Sequence, residues 1–251
     1  MYPTLQLGPL ALPTGPLTLI LGFWLFLASG ARRAAHKGLD GDHVYNAGFY
    51  AVLAGLIGGR IAHALRYWDA YAARPTLLIS LNPGALAAAE AIAIAAFAAW
   101  LYLRRHSVPL APLFDALAPG AALALALADL GQFLSGDAFG TPTSVPWAVS
   151  LWGADRHPAP LYQMAAELAI AAWLWRPRLG DRNAGWTATE FLFLYSSSRL
   201  FLDAFRADVF LLPGGLRGTQ VLGLIGGLIA LALAYLQAGP GDPAPEAGAN
   251  S

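Results

Sequence analysis

Apolar residues in this chain fall into long blocks, cut wherever Arg, Lys, Asp, Pro and Gly cluster. Seven blocks are long enough to predict helices, at about 13–30, 46–65, 85–103, 112–134, 160–175, 187–205 and 219–237. A helix crossing a bilayer needs roughly 20 apolar residues, so the pattern predicts an all-α polytopic membrane protein with about seven transmembrane helices. The first block, Leu17-Thr-Leu-Ile-Leu-Gly-Phe-Trp-Leu-Phe-Leu, is followed by Arg32, Arg33 and Lys37 instead of being preceded by basic residues. It therefore reads as a retained helix and not as a cleaved signal peptide. Residues 1–238 are expected to form one membrane domain. The tail 239–251, rich in Pro, Gly and Ala with Asp242 and Glu246, is expected to be disordered.

Composition supports this class. The 251 residues are 57% hydrophobic and 12% charged, against about 45–50% and 25% for an average globular chain. Fifteen basic and fifteen acidic residues cancel. With no basic run longer than Arg32-Arg33 or Arg104-Arg105, a nucleic-acid partner is excluded. The absence of cysteine removes a disulfide framework, a thiolate metal site and a protein-borne cysteine nucleophile. His36, His43, His63, His106 and His157 are dispersed without ligand spacing, so neither a metal nor another cofactor is implied.

Charge also suggests orientation. One set of alternate connections holds Arg32, Arg33, Lys37, Arg104, Arg105, Arg176, Arg178 and Arg182, and the other holds Arg66, Arg74, Arg156, Arg206 and Arg217. The positive-inside rule makes the richer set cytoplasmic, with the N-terminus outside and the C-terminus inside. No internal repeat is evident, so an inverted-repeat transporter has no support in the sequence.

Arg60, in Gly58-Gly59-Arg60-Ile61, and Arg199, well inside the sixth block, need a reason to be there. An ionised side chain at the bilayer centre costs about 2.5–3.5 kcal/mol on insertion scales. In Tyr195-Ser-Ser-Ser-Arg199-Leu-Phe-Leu-Asp203-Ala-Phe-Arg206, a continuous helix would place Tyr195, Arg199, Arg206 and Asp203 at about 0°, 40°, 20° and 80°. Such a face would suit an anion near the outer leaflet, because guanidinium forks match phosphate. A snorkelling Arg206 with a self-contained Arg199–Asp203 pair is the plainer alternative. In the second block Arg60, His63 and Tyr67 share a face, and Gly55, Gly58 and Gly59 permit close helix packing.

The fourth block, nearly pure Ala and Leu, acquires Asp129 and Gln132 one turn apart and breaks at Gly136 and Gly140 into a proline-containing loop. Irregular backbone at membrane depth is tolerated only where protein covers it or water reaches it, which makes this the expected mouth of a site. Arg156-His157-Pro158 then leads into the fifth block, where His157 and Tyr162 suit either a head-group contact or a proline-flanked helix start with an interfacial tyrosine.

Taken together, five segments resemble the prolipoprotein diacylglyceryl transferases, bacterial plasma-membrane enzymes that modify lipoprotein precursors. They are Gly58-Gly59-Arg60-Ile61; Gly131-x-Phe133-x-x-Gly136-Asp137-x-x-Gly140 with Pro146-Trp147-Ala148-Val149; Arg156-His157-Pro158-x-x-Leu161-Tyr162; Tyr195-x-x-x-Arg199-x-x-x-Asp203-x-x-Arg206; and Gly218-x-Gln220. The resemblance runs from about residue 8 to about residue 237. It implies transfer of an sn-1,2-diacylglyceryl group from phosphatidylglycerol, a membrane lipid, to the lipobox cysteine in the signal-peptide region of a prolipoprotein.

The implied clamps are Arg60, Arg199 and Arg206, with Asp203 orienting Arg199. Gly131, Gln132, Gly136, Asp137, Gly140, Arg156, His157, Tyr162 and Tyr195 are expected around the head group. The family's loop signature has Gly, Arg, Asn, Asn and Glu where this chain has Ala128, Asp129, Gln132, Ser135 and Asp137. Asn82-Pro83-Gly84 stands for His-Gly-Gly, Gly15 for a tyrosine, and Asp203 for a glutamate. Asp129 and His63 are the expected replacements for the missing base. The same substitutions leave open a divergent member that binds anionic phospholipid without turnover or transfers a different group.

Overall fold

The computed structural model describes residues 2–8, 10–79, 86–176 and 183–238. The expected disordered tail 239–251, the Asn82-Pro83-Gly84 segment, Arg178 and Arg182 lie outside the described residues.

Each of the seven apolar blocks contains a helix: α1 Thr14–His36, α2 Asp42–Arg66, α4 Ala88–Arg105, α5 Leu110–Ser135, α6 Ala159–Trp175, α7 Trp186–Leu202 and α8 Gly218–Ala238. The short α3, Trp68–Ala73, follows α2, and a 3₁₀ turn covers Pro75–Ile79. Among the described residues, α1, α2, α5 and α8 are long and apolar enough to cross a membrane. The others are shorter or more charged: α4 carries Glu90, Arg104 and Arg105, while α6 and α7 have 17 residues each. Two small hairpins were not anticipated by the hydrophobic blocks. β1 Thr4–Leu7 pairs with β2 Leu10–Pro13, and β3 Val149–Leu151 pairs with β4 Ala154–Arg156, both antiparallel.

The chain groups into two compact units, Met1–Phe26 with Leu117–Ser251 and Leu27–Ala116. In the first unit small residues allow helices to approach. Ala118 and Ala122 of α5 form a core with Ile170, Ala171 and Leu174 of α6. A Cβ on Gly223 of α8 would stand 2.9 Å from the Ser196 carbonyl of α7, which explains a glycine there. In the second unit α2 and α4 pack through their own small residues. A Cβ on Gly59 would come within 2.6 Å of the Ala91 Cβ, and one on Gly55 within 3.1 Å of the Ala91 carbonyl. These contacts accord with the packing role expected of the α2 glycines.

Candidate functional site

The break expected after α5 is present. Gly136 takes φ +78°, the left-handed conformation that glycine adopts without a Cβ penalty and that ends helices. The chain then runs alongside two other segments. The Thr141 amide donates to the Phe205 carbonyl at 2.8 Å, the Ala207 amide to Phe139 at 3.0 Å and the His157 amide to Thr141 at 3.1 Å. Gly140 sits in this ladder, bridged to Arg206, and Arg156 donates to the Gly140 carbonyl at 3.2 Å. A Cβ on Gly140 would overlap the His157 carbonyl and side chain. Gly140→Ala should therefore push the loop off Arg206 and cost about 1–3 kcal/mol. A lowered thermal midpoint in detergent checks this, and an unchanged one would mean that the loop gives way freely.

α7 ends at Leu202 and a 3₁₀ turn, Asp203–Phe205, follows, leaving Arg206 in an extended conformation. The continuous helix assumed for residues 195–206 is thus corrected. Arg206 reaches the cluster by crossing the ladder and not by helical spacing, because its backbone pairs with the Gly140 loop instead of continuing the i to i+4 pattern. The Arg199–Asp203 pair keeps its helical relation, with Nη2 3.3 Å from Oδ1.

Around these two arginines lies a buried polar cluster. Asp203 is 0% exposed and accepts a hydrogen bond from Gln163 Nε2. Arg206 donates from Nη1 to Gln163 Oε1 at 2.8 Å, from Nη2 to Gln132 Oε1 at 3.1 Å and from Nε to Asp208 Oδ1 at 3.0 Å. Its Nη1 also stands 3.8 Å from Asp129 Oδ1. Burial works against the Arg206 charge, but Asp208, Asp129 and Asp203 outweigh it and hold its pKa above the ordinary arginine value. Arg217 fixes the turn by donating to the backbone carbonyls of Asp203 and Arg206 at 2.8 and 2.6 Å. Gln220 donates to the Leu200 carbonyl at 2.9 Å.

Sequence reasoning missed Glu167. It lies on α6 one turn beyond Gln163, is 1% exposed, and its carboxyl meets that of Asp129. Neither Glu167 oxygen has a protein donor. A contact between two carboxyls becomes a hydrogen bond only when one carries a proton, since carboxylates are acceptors alone. The available signal was the rule applied to Arg60 and Arg199, that an ionisable residue inside an apolar helix needs a reason. Asp208 and Arg217 lie in a loop, where the signal in the sequence was the company that the outer arginines keep with nearby aspartates.

The remaining expected residues divide between the units. In the first, His157 Nδ1 lies 3.1 Å from the Tyr162 hydroxyl, which also accepts from Trp147 Nε1 at 2.7 Å. Asp137 accepts from the Ser135 hydroxyl at 2.7 Å and is exposed. Gly131 packs against Thr18 and Gly15 of α1, where a Cβ would collide. Tyr195 stacks on Phe191 at 5.8 Å and is half-buried. In the second unit Arg60 donates to the carbonyls of Leu77 and Leu78, each at 3.1 Å, tying α2 to the 3₁₀ turn. His63 Nδ1 lies 3.0 Å from the Tyr71 hydroxyl, and its ring is 4.7 Å from that of Tyr67. Among the described residues no group of three His, Cys, Asp or Glu side chains could hold a metal ion.

A polytopic helical membrane protein that buries guanidinium groups among carboxylates beside a break in a long helix carries the polar interior of a functional membrane site. The family model for prolipoprotein diacylglyceryl transferase matches residues 3–236, and the chain belongs to that family. Three relatives carry the name phosphatidylglycerol–prolipoprotein diacylglyceryl transferase. The one from Corynebacterium diphtheriae is 30% identical over 245 residues, covering 88% of this chain and 86% of its own. That from Clostridioides difficile is 30% identical, covering 79% and 81%. That from Chromohalobacter salexigens is 31% identical, covering 82% and 80%.

Proposed function

We propose that this protein transfers the diacylglyceryl group of phosphatidylglycerol to the lipobox cysteine in the signal-peptide region of a prolipoprotein. The thiolate sulfur attacks the glyceryl carbon that bears the phosphate. A carbon–sulfur bond forms, the carbon–oxygen bond breaks, and the oxygen leaves with the phosphate as glycerol 1-phosphate. The thiol proton passes to a base. The nucleophile belongs to the substrate, so the lack of cysteine in the chain fits this chemistry.

The observation that carries the proposal is Arg199, held by the buried Asp203 in a chain that the family spans almost end to end. A leaving phosphate gains charge as the bond breaks, and a fixed guanidinium aimed at it stabilises the transition state more than the ground state. We assign that role to Arg199, with Asp203 as its positioning residue. Arg206, engaged by Asp208, Gln132 and Gln163, braces the Gln163–Asp203 side of this cluster. Asp129 is the proposed proton acceptor, with Glu167 against it. Gly136, Asp137 and Gly140 shape the head-group loop, Gly131 packs α5 against α1, and Arg156, His157, Tyr162 and Tyr195 are assigned to the surroundings of the head group. Arg60 and His63 belong to the second unit, and no step is assigned to them. We also propose that residues 1–238 act as one membrane domain, with the N-terminus outside and the C-terminus cytoplasmic, on the strength of the Lys and Arg asymmetry.

The test uses the purified full chain with phosphatidylglycerol and a synthetic lipobox peptide containing one cysteine. The expected result is a diacylglyceryl mass increment on the peptide with stoichiometric release of glycerol phosphate. A folded protein that retains phosphatidylglycerol and never consumes it would replace this reading with that of a lipid-binding relative, the alternative that Asp129 at the family's arginine position favours.

A further inference from the structure

The second unit contains a groove that the transfer reaction does not use. α2 and α4 are pressed together where their small residues meet, and a Cβ on Gly58 would lie 2.5 Å from Ile94 Cδ1. Toward the start of α2 and the end of α4 the facing side chains become large. Tyr50 stacks on Tyr102 with centroids 5.3 Å apart, and a cavity of about 630 Å³ opens beside them. That volume falls in the range of roughly 300–1,000 Å³ typical of small-ligand sites. Its walls include Leu53, Ile57, Ala98 and Leu101, and Arg105 and His106 stand at its end.

Length, wall chemistry and charge point to one kind of occupant. From Ile94 to Arg105 the α4 wall extends about 17 Å at about 1.5 Å per residue. One leaflet of a hydrocarbon core of roughly 30 Å has nearly the same depth. The walls are aliphatic, and the polar groups gather at one end only. There His43 Nδ1 lies 3.1 Å from the Tyr102 hydroxyl, and the His106 ring lies 4.4 Å from that of Tyr102. The same end of this unit carries Arg32, Arg33, Lys37, Arg104 and Arg105 against Asp40, Asp42 and Asp115. Lys37 is paired with Asp115 at 3.7 Å, and Asp40 accepts from the Asp42 amide at 2.9 Å. Counted along the chain the balance of these segments is basic, and Arg105 is the guanidinium that lines the groove. An acyl chain fits such walls, and an anionic head group suits such a rim.

We infer that the α2–α4 groove binds an anionic phospholipid, with one acyl chain between Leu53, Ile57 and Ala98 and its phosphate at Arg105 and His106. On the proposed orientation this lipid comes from the cytoplasmic leaflet. The inference stands apart from the transferase reading, because it shares no residue with the Arg199 cluster.

Native mass spectrometry of the delipidated full chain tests it, with dioleoyl-phosphatidylglycerol and dioleoyl-phosphatidylcholine added separately. The number of phosphatidylglycerol molecules bound should fall by one in Arg105→Ala and in Ala98→Trp, which fills the groove. The affinity of that molecule should drop at least about fivefold when the arginine is lost. Arg105 is exposed, so its replacement tests the site even if the tryptophan variant does not fold. Lipid counts equal to wild type in folded Arg105→Ala, or phosphatidylcholine bound as well as phosphatidylglycerol, would overturn the inference. Arg199→Lys and the peptide assay report on the other site alone, so failure of either reading leaves the other measurable.

Discussion

Arg199→Lys should lower kcat/KM for the lipobox peptide by about 10²–10³-fold while the protein stays folded. Lysine keeps a cation for Asp203 but loses the planar fork that matches phosphate. Removing one preorganised donor from a developing anion typically costs that much. The conservative replacement is informative because Asp203 is fully buried. With Arg199→Ala its carboxylate would keep the Gln163 donor and lose its ion pair, so activity and stability would fall together. The measurement is turnover of phosphatidylglycerol with the cysteine peptide, beside a thermal midpoint in detergent. A lysine variant as active as wild type would remove Arg199 from the chemistry.

The opposite profile is expected for Arg206. It joins Asp208, Gln132, Gln163 and Asp129, elements that are otherwise far apart in sequence. Arg206→Ala leaves the buried Asp129 carboxylate and the buried Gln163 amide oxygen without this cation, while the exposed Asp208 turns to water, a loss of about 3–5 kcal/mol by analogy with other buried pairs. The thermal midpoint should fall on the order of 10 °C for a chain of this size. Arg206→Lys should recover little of it, because one ammonium cannot serve partners on three sides. If Arg206→Ala melted like wild type and lost only activity, Arg206 would be a phosphate clamp, as its place in the motif suggests, and not a brace of the cluster.

The contrast between these arginines separates what each level of description supplied. The apolar blocks were enough to place α1, α2 and α4 to α8 among the described residues, since an apolar segment has few alternatives to helix once its backbone must be hydrogen-bonded in hydrocarbon. The Arg199–Asp203 pair was equally legible, because both residues lie where α7 gives way to a turn and helical spacing still relates them. Gly140 was legible as a loop signal but not as a contact. Its need for glycine comes from the His157 backbone, which arrives from a distant part of the chain.

Arg206 and Glu167 were decided by tertiary structure. A helical wheel placed Arg206 on the face of Arg199 only by continuing a helix that ends at Leu202. The ladder with Phe139–Thr141 turns the chain there and sends the guanidinium to Gln132 and Gln163. Glu167 reads in sequence as one acid in an alanine-rich helix, and nothing local pairs it with Asp129. By itself the sequence determined a family, a set of helices and an arginine with its carboxylate. The tertiary structure decided which arginine is enclosed by partners and which carboxyls meet, because close packing and long-range hydrogen bonds depend on segments that sequence spacing does not relate.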